Sequence, residues 1–91
     1  MKSGKTKSGF AFTFDERNID DMRWVEKCAK LESNPILISE VVTQMLGEEQ
    51  KERLYKHLEN EDGKVPVERF NQEFEEIMTL AGESDEDVKN S

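Results

Sequence analysis

Two side chains with nucleophilic or metal-binding chemistry, His57 and Cys28, each occur once in this 91-residue sequence. A nucleophile–base pair or a zinc site needs a second Cys or His at a suitable spacing, and the sequence does not supply one. Cys28 shares a predicted helix face with Trp24 and Leu31, which favours a buried thiol over a nucleophile. His57 lies beside a helical apolar stripe and is interpreted as a helix histidine. We therefore expect no catalytic residue, no cofactor and no zinc site.

A calcium site is suggested by the turn around Gly63, because the EF-hand loop has a glycine at its sixth position. Aligning Gly63 with that position places Leu58 first and Arg69 twelfth in the loop. Leucine cannot ligate calcium, and arginine would repel the ion where a bidentate glutamate belongs. Asn60 and Asp62 fit the third and fifth positions, but two oxygen donors do not form a cage. The segment is therefore predicted to be a helical hairpin with a glycine turn and no metal.

This hairpin, from Met45 to Met78, is the segment around which the chain is organised. Leu54 and Leu58 share one face of its first helix, and Pro66 suits the first turn of its second helix. Apolar residues then recur at steps of three and four, the period of a helix with one buried face: Val67, Phe70, Phe74, Ile77, Met78 and Ala81. Because Phe70 and Phe74 lie at the centre of this stripe, we predict that they anchor the fold.

A helix is also predicted to begin near Asn18, Asp20 and Asp21, which have the residue types of an N-cap and an acidic first turn. Its apolar residues form two neighbouring stripes and predict a helix that is buried over more than half of its girth. The first stripe is Ile19, Met22, Val25 and Ala29, and the second is Trp24, Cys28 and Leu31.

The segment from Ile36 to Leu46 is the most apolar part of the chain. Its spacing predicts a helix, although its β-branched residues leave a buried strand as the alternative. Pro35 separates it from the preceding helix, and Gly47 is predicted to end it.

The two ends of the chain differ from this helical middle. Residues 1–9 are rich in Lys, Gly and Ser and predict a disordered segment without a signal peptide. Phe10–Phe14 alternates large and small residues, which predicts a short strand. It either pairs with another copy or lies across the helices as an aromatic arm, and we favour the arm. Residues 82–91 predict a disordered acidic tail, so that 10–81 is the single folded domain.

Composition limits the functions open to this domain. The chain is 34% hydrophobic and 37% charged, with a net charge of −8. The predicted helices make an all-α bundle of about four short helices. So thin a core predicts that the bundle is marginally stable or is completed by self-association or a partner. The negative charge argues against nucleic-acid binding, and no apolar run approaches the roughly 20 residues of a membrane helix. The single cysteine leaves no intramolecular disulfide and favours a reducing cytoplasm.

The apolar surplus of the Ile36–Leu46 segment suggests a partner-binding surface. Methionine at helical spacing fills gaps in cores, but flexible methionine surfaces also bind helical partners. Four residues are the candidates for a groove that takes a client helix: Trp24, Val42, Met45 and Met78.

From Phe14 onward the chain resembles the small tail assembly chaperones of long-tailed, siphovirus-type phages and prophages of Gram-positive bacteria. Three phrases carry the resemblance: FDERNIDDMRWVEKCAKLE, MLGEEQ leading to YKHL, and EDGKVPVERFNQEFEEI before a polar tail. The resemblance implies a helical, non-enzymatic protein of the bacterial host cytoplasm that is absent from the mature virion. Its expected partners are the tape-measure protein, which it coats and keeps soluble, and the tail-tube protein, which it helps to recruit.

Two other functions stay open at this point. The first is a small acidic regulator that binds and inhibits a basic protein, for example by mimicking the charge of nucleic acid. The second is a calcium-responsive module, which only the turn at Gly63 suggests. Salt separates the first from helix shielding, because charge mimicry weakens at high ionic strength whereas apolar shielding persists.

Overall fold

The computed structural model describes residues 1–82 in full and, over 83–90, only the course of the last helix. Within this part, four α-helices confirm the predicted helical class, and a two-stranded antiparallel sheet adds to it. From Glu83 onward, the predicted disordered tail over 82–91 lies outside the fully described residues. In chain order the elements are β1 (Lys2–Lys5), β2 (Ala11–Phe14), α1 (Met22–Ala29), α2 (Ile38–Leu46), α3 (Glu48–Leu58) and α4 (Val67–Asn90), with 3-10 turns at Glu16–Asn18 and Pro35–Leu37.

The predicted disorder of residues 1–9 is wrong, because strand β1 pairs antiparallel with β2. The register runs from Lys2 opposite Phe14 to Lys5 opposite Ala11, so the aromatic strand finds its partner within its own chain. Gly4 faces Phe12, and a Cβ on this glycine would lie 2.8 Å from Phe12 Cζ. The close approach of ring and backbone therefore requires glycine. A strand held by such a contact has no alternation of apolar residues, so the sequence pattern does not predict it.

The sheet covers the helices with one aromatic face. Phe10, Phe12 and Phe14 alternate along the chain, share that face and are all buried in the core. On the outer edge of β2, the side-chain amide of Gln50 accepts a hydrogen bond from Thr13 N at 2.8 Å and donates one to Thr13 O at 2.7 Å. This amide therefore occupies the place of a third strand at Thr13. The segment is an aromatic cover, as favoured from the sequence, but it is held as a paired strand.

Helix α1 begins where the acidic residues predicted it. Asp21 is the N-cap and accepts a hydrogen bond from Arg23 N at 3.0 Å, while Asn18 ends the preceding 3-10 turn. The prediction that more than half of this helix is buried is wrong, since Trp24 is its only buried residue. The reason is geometric: α1 is a short outer helix that packs on α2 through one edge. The indole Nε1 of Trp24 donates to Val41 O at 3.0 Å.

The Asp21 cap also predicts a pH dependence. Hydrogen bonds from the Gln44 amide and then from Arg23 N hold the pKa of Asp21 below its usual 3.8. A lowered folded pKa stabilises the fold above that usual value, and the stabilisation is lost as the pH falls through the folded pKa. Replacing Asp21 by alanine should therefore lower the melting temperature at neutral pH, with the deficit shrinking below about pH 4. Asp20→Ala, at an exposed neighbour, is the control. A deficit that stays constant down to the acid limit would contradict the cap.

Helices α2, α3 and α4 follow the predicted breaks closely. The helical alternative is correct for the apolar segment, whose first residues form the 3-10 turn and whose remainder forms α2. Gly47 separates α2 from α3 with φ +86°, a conformation that glycine adopts without strain. In α4 the predicted stripe faces the core at Phe70, Ile77 and Ala81, whereas Val67 is exposed.

Candidate docking groove

The predicted partner-binding residues do not form a surface groove. Trp24, Val42 and Met45 are 5%, 0% and 1% exposed and belong to the core, and Met78 is half-buried against it. Trp24 and Met78 do line one shallow hollow of about 460 Å³, but Val42 and Met45 lie elsewhere. The apolar residues of α2 are covered by the aromatic sheet, and the sequence did not predict that this sheet would form.

Two of the exposed apolar residues lie instead in a groove between the 3-10 turn at Pro35–Leu37 and the start of α4. It has a volume of about 720 Å³. Ile36 and Val67 line it and are 82% and 75% exposed, whereas the hydrophobic residues of the core are at most 7% exposed. We call this feature the docking groove. Its lining residues are Leu31, Glu32, Pro35, Ile36, Ile38, Tyr55, Val65, Val67, Phe70, Asn71 and Phe74.

The turn between α3 and α4 positions one wall of the docking groove. Asn60 Oδ1 accepts hydrogen bonds from Asp62 N at 2.9 Å and Lys64 N at 3.1 Å, and Gly63 has φ +76°. Arg69 Nη1 donates to Leu58 O at 3.1 Å and so ties the start of α4 to the end of α3. The two residues aligned with the ends of an EF-hand loop thus bind each other. The Asn60 oxygen that fitted its third position is engaged by the turn itself.

The floor of the docking groove is aromatic. The rings of Tyr55 and Phe70 meet edge to face with centroids 5.7 Å apart, and Phe70 stacks on Phe74 at 6.4 Å. Aromatic pairs in such geometries stabilise each other beyond the area they bury. The floor is therefore preformed, and a ligand would not need to order it.

Polar groups are few in the docking groove, and their side chains have no partner among the described residues. Among the described residues that line it, only Glu32 is charged. Its carboxylate, the Asn71 amide and the Tyr55 hydroxyl make no hydrogen bond or ion pair within residues 1–82. Apolar pockets with a few free polar groups are typical ligand-binding sites, because those groups fix the orientation of the ligand.

A cluster of polar side chains joins the turn between β1 and β2, the tip of the β-hairpin, to α4. Thr6 Oγ1 and Ser8 Oγ donate to Glu73 Oε2 at 2.6 and 2.8 Å, and Lys7 N donates to Glu76 Oε2 at 2.7 Å. His57 Nε2 lies 2.9 Å from Ser8 Oγ. Glu73 contacts Ser8 and not the imidazole, so the acid–histidine contact of a triad is absent among the described residues. The cluster therefore anchors the hairpin tip and is not arranged as a catalytic triad.

The remaining chemical candidates have ordinary surroundings. Cys28 is half-buried on the core side of α1, and this burial raises the pKa of its thiol. Within the fully described residues, no group of three or more His, Cys, Asp or Glu residues is placed to hold a metal ion. No helix in the same part of the chain is long and apolar enough to cross a membrane. Comparison with protein-family models, curated proteins and solved structures finds no match to this chain.

Proposed function

We propose that this protein is a non-enzymatic chaperone of phage tail assembly, which binds and shields the helical tape-measure protein and helps to recruit tail-tube subunits. The observation that carries the proposal is the docking groove, an open apolar channel on a strongly acidic chain. A tape-measure helix presents long apolar stripes before the tail tube encloses it. Exposed stripes of this kind associate unless they are covered.

The groove has the features needed to cover such a stripe. Ile36 and Val67 are exposed in the lining of a groove with a preformed aromatic floor, so a helix laid in it would bury apolar residues at i, i+3, i+4 and i+7. The net charge of −8 would keep the loaded complex soluble and make neighbouring copies repel each other. The sequence resemblance from Phe14 onward supplies the identity of the client, and the groove supplies a place to hold it.

The proposal is tested by co-expression with the tape-measure protein of the same genome. The complex should survive a wash at about 1 M salt, where the Debye length falls to about 3 Å, because its contacts are chiefly apolar. Ile36→Asp and Val67→Asp should each reduce the retained tape-measure protein about ten-fold or more. Both positions are exposed, so the variants should fold as the wild type does. Met22→Asp, at an apolar residue outside the groove that is 67% exposed, is the matched control.

Two outcomes contradict the proposal. If the tape-measure protein fails to co-purify even at low salt, it is not the partner of this chain. If the tape-measure protein elutes completely at about 1 M salt, the binding is not apolar. This result would favour the acidic regulator, whose binding to a basic protein depends on charge. Met45→Asp, which the sequence alone suggests as a groove variant, is unsuitable here because it places a carboxylate in the core.

A further inference from the structure

The docking groove has three polar side chains, Glu32, Tyr55 and Asn71, and their chemistry indicates which ligand it would bind. All three lie on different segments: Glu32 follows α1, Tyr55 is in α3, and Asn71 is in α4. Each of them retains its full hydrogen-bonding capacity within the described residues. Lys51 Nζ lies 6.0 Å from the Tyr55 ring centroid and is already paired with Glu48 at 3.4 Å.

Two acidic residues of α4 are next in sequence to residues that line the groove, Glu68 to Val67 and Glu75 to Phe74. Glu68 and Glu75 lie three residues before and four residues after Asn71, which places all three on one face of the helix. Both glutamates are exposed and form no ion pair in the described part of the chain. The groove therefore has one unpaired carboxylate in its lining, Glu32, and two exposed glutamates on the adjoining helix α4.

We propose that the docking groove selects an amphipathic helix whose apolar stripe is flanked by lysine or arginine. The inference deepens the proposed function and rests on it for the identity of the natural client. The apolar stripe covers Ile36, Val67 and the aromatic floor, while a flanking cation pairs with Glu32 and a second one approaches Glu68 or Glu75. An acidic flank would place like charges together and leave the groove carboxylates unpaired, so the groove discriminates by repulsion as well as attraction.

Two synthetic peptides test this selection without the natural client. Both are helices of about five turns with leucine at i, i+3, i+4 and i+7, and they differ only in carrying lysine or glutamate beside that stripe. Binding to the full chain is followed by amide chemical shifts. The lysine peptide should bind at least ten-fold more tightly, with shifts centred on Ile36, Val65 and Val67. Equal affinity for the two peptides would overturn the charge selection.

Variants then assign the effect to residues. Glu32→Gln should weaken the lysine peptide roughly two- to five-fold, the contribution of one exposed ion pair, and should narrow the gap to the glutamate peptide. Val67→Asp should weaken both peptides about ten-fold or more, whereas Met22→Asp should change neither. Shifts that map outside the groove, or a Val67→Asp variant that binds like Met22→Asp, would overturn the inference. So would a dimer of the free chain that Val67→Asp dissociates, since a second copy would then occupy the groove.

The two proposals fail in different ways. If the lysine peptide binds in the groove but the tape-measure protein does not co-purify, the selection stands and the assigned client is wrong. If the tape-measure protein co-purifies and is indifferent to Ile36→Asp, Val67→Asp and Glu32→Gln, the chaperone function stands and its contact surface lies elsewhere.

Discussion

Phe12→Ala is expected to lower the free energy of unfolding by about 3–5 kcal/mol, the usual cost of truncating a buried aromatic residue. The Phe12 ring is 2% exposed and lies between the rings of Phe10 and Phe14, with centroids 6.4 and 6.3 Å away. It also covers Gly4 of the partner strand. Domains of this size have about 5–15 kcal/mol of stability in total, so the variant should be largely unfolded under mild denaturant.

Phe74→Ala is the matched control for this prediction. Phe74→Ala removes the same number of atoms as Phe12→Ala. Because Phe74 is half-buried and borders the open groove, its truncation should lower the free energy of unfolding by less. Urea unfolding followed by circular dichroism measures both variants. An equal loss in the two would mean that the α4 stripe anchors the fold as strongly as the aromatic sheet does. That outcome would favour the interpretation drawn from the sequence alone.

Removing residues 1–9 is expected to lower the free energy of unfolding by about 2–4 kcal/mol. The deletion removes strand β1 and takes both hydroxyl donors away from Glu73, which is 7% exposed. A buried polar group left without partners costs about 1–3 kcal/mol, and the lost cover of Phe12 adds to this. For a domain of this length, each kcal/mol lowers the melting temperature by about 4–8 °C.

The double variant Thr6→Ala with Ser8→Ala separates the two contributions to this loss. It keeps the strand but removes the hydroxyl groups that donate to Glu73, so its melting temperature should lie between those of the wild type and the deletion. Thermal melts of the three proteins are compared at one pH. A deletion that melts with the wild type would restore the prediction of a disordered N-terminus.

Local sequence patterns account for most of the helical part of this fold. Gly47 and Gly63 mark the breaks, and Asp21 caps α1, because glycine geometry and N-cap hydrogen bonds act within a few residues. The strand β1 could not be predicted in this way. Its sequence, Lys-Ser-Gly-Lys, has no apolar alternation, and its pairing depends on backbone hydrogen bonds and on the space that Gly4 leaves for Phe12. The one usable signal was an aromatic strand that lacked a partner.

The site was harder to predict than the fold for the same reason. Val42 and Met45 looked like surplus apolar surface because the sheet that covers them was missing from the prediction. Val67 belonged to the predicted buried stripe of α4, and Ile36 began the most apolar segment of the chain. Their exposure depends on how two segments, about 30 residues apart in the chain, are set against each other in space. Periodicity indicates which face of a helix is apolar, but it does not indicate whether another element covers that face.

The Gln50 amide that completes the outer edge of β2 has a consequence for solubility over time. The segment Phe10–Phe14 is uncharged, aromatic and free of proline, which is the composition of a cross-β zipper. Fibrils grow by adding strands to such an edge, and here one side chain occupies the hydrogen-bonding groups of Thr13 that a further strand would use. Leu46 O in turn accepts from Gln50 Nε2 at 2.7 Å and holds the amide in place. Arg53 Nη2 also donates to Ala11 O on this edge, at 3.4 Å. Two side chains of α3 thus cover an edge that would otherwise template further strands.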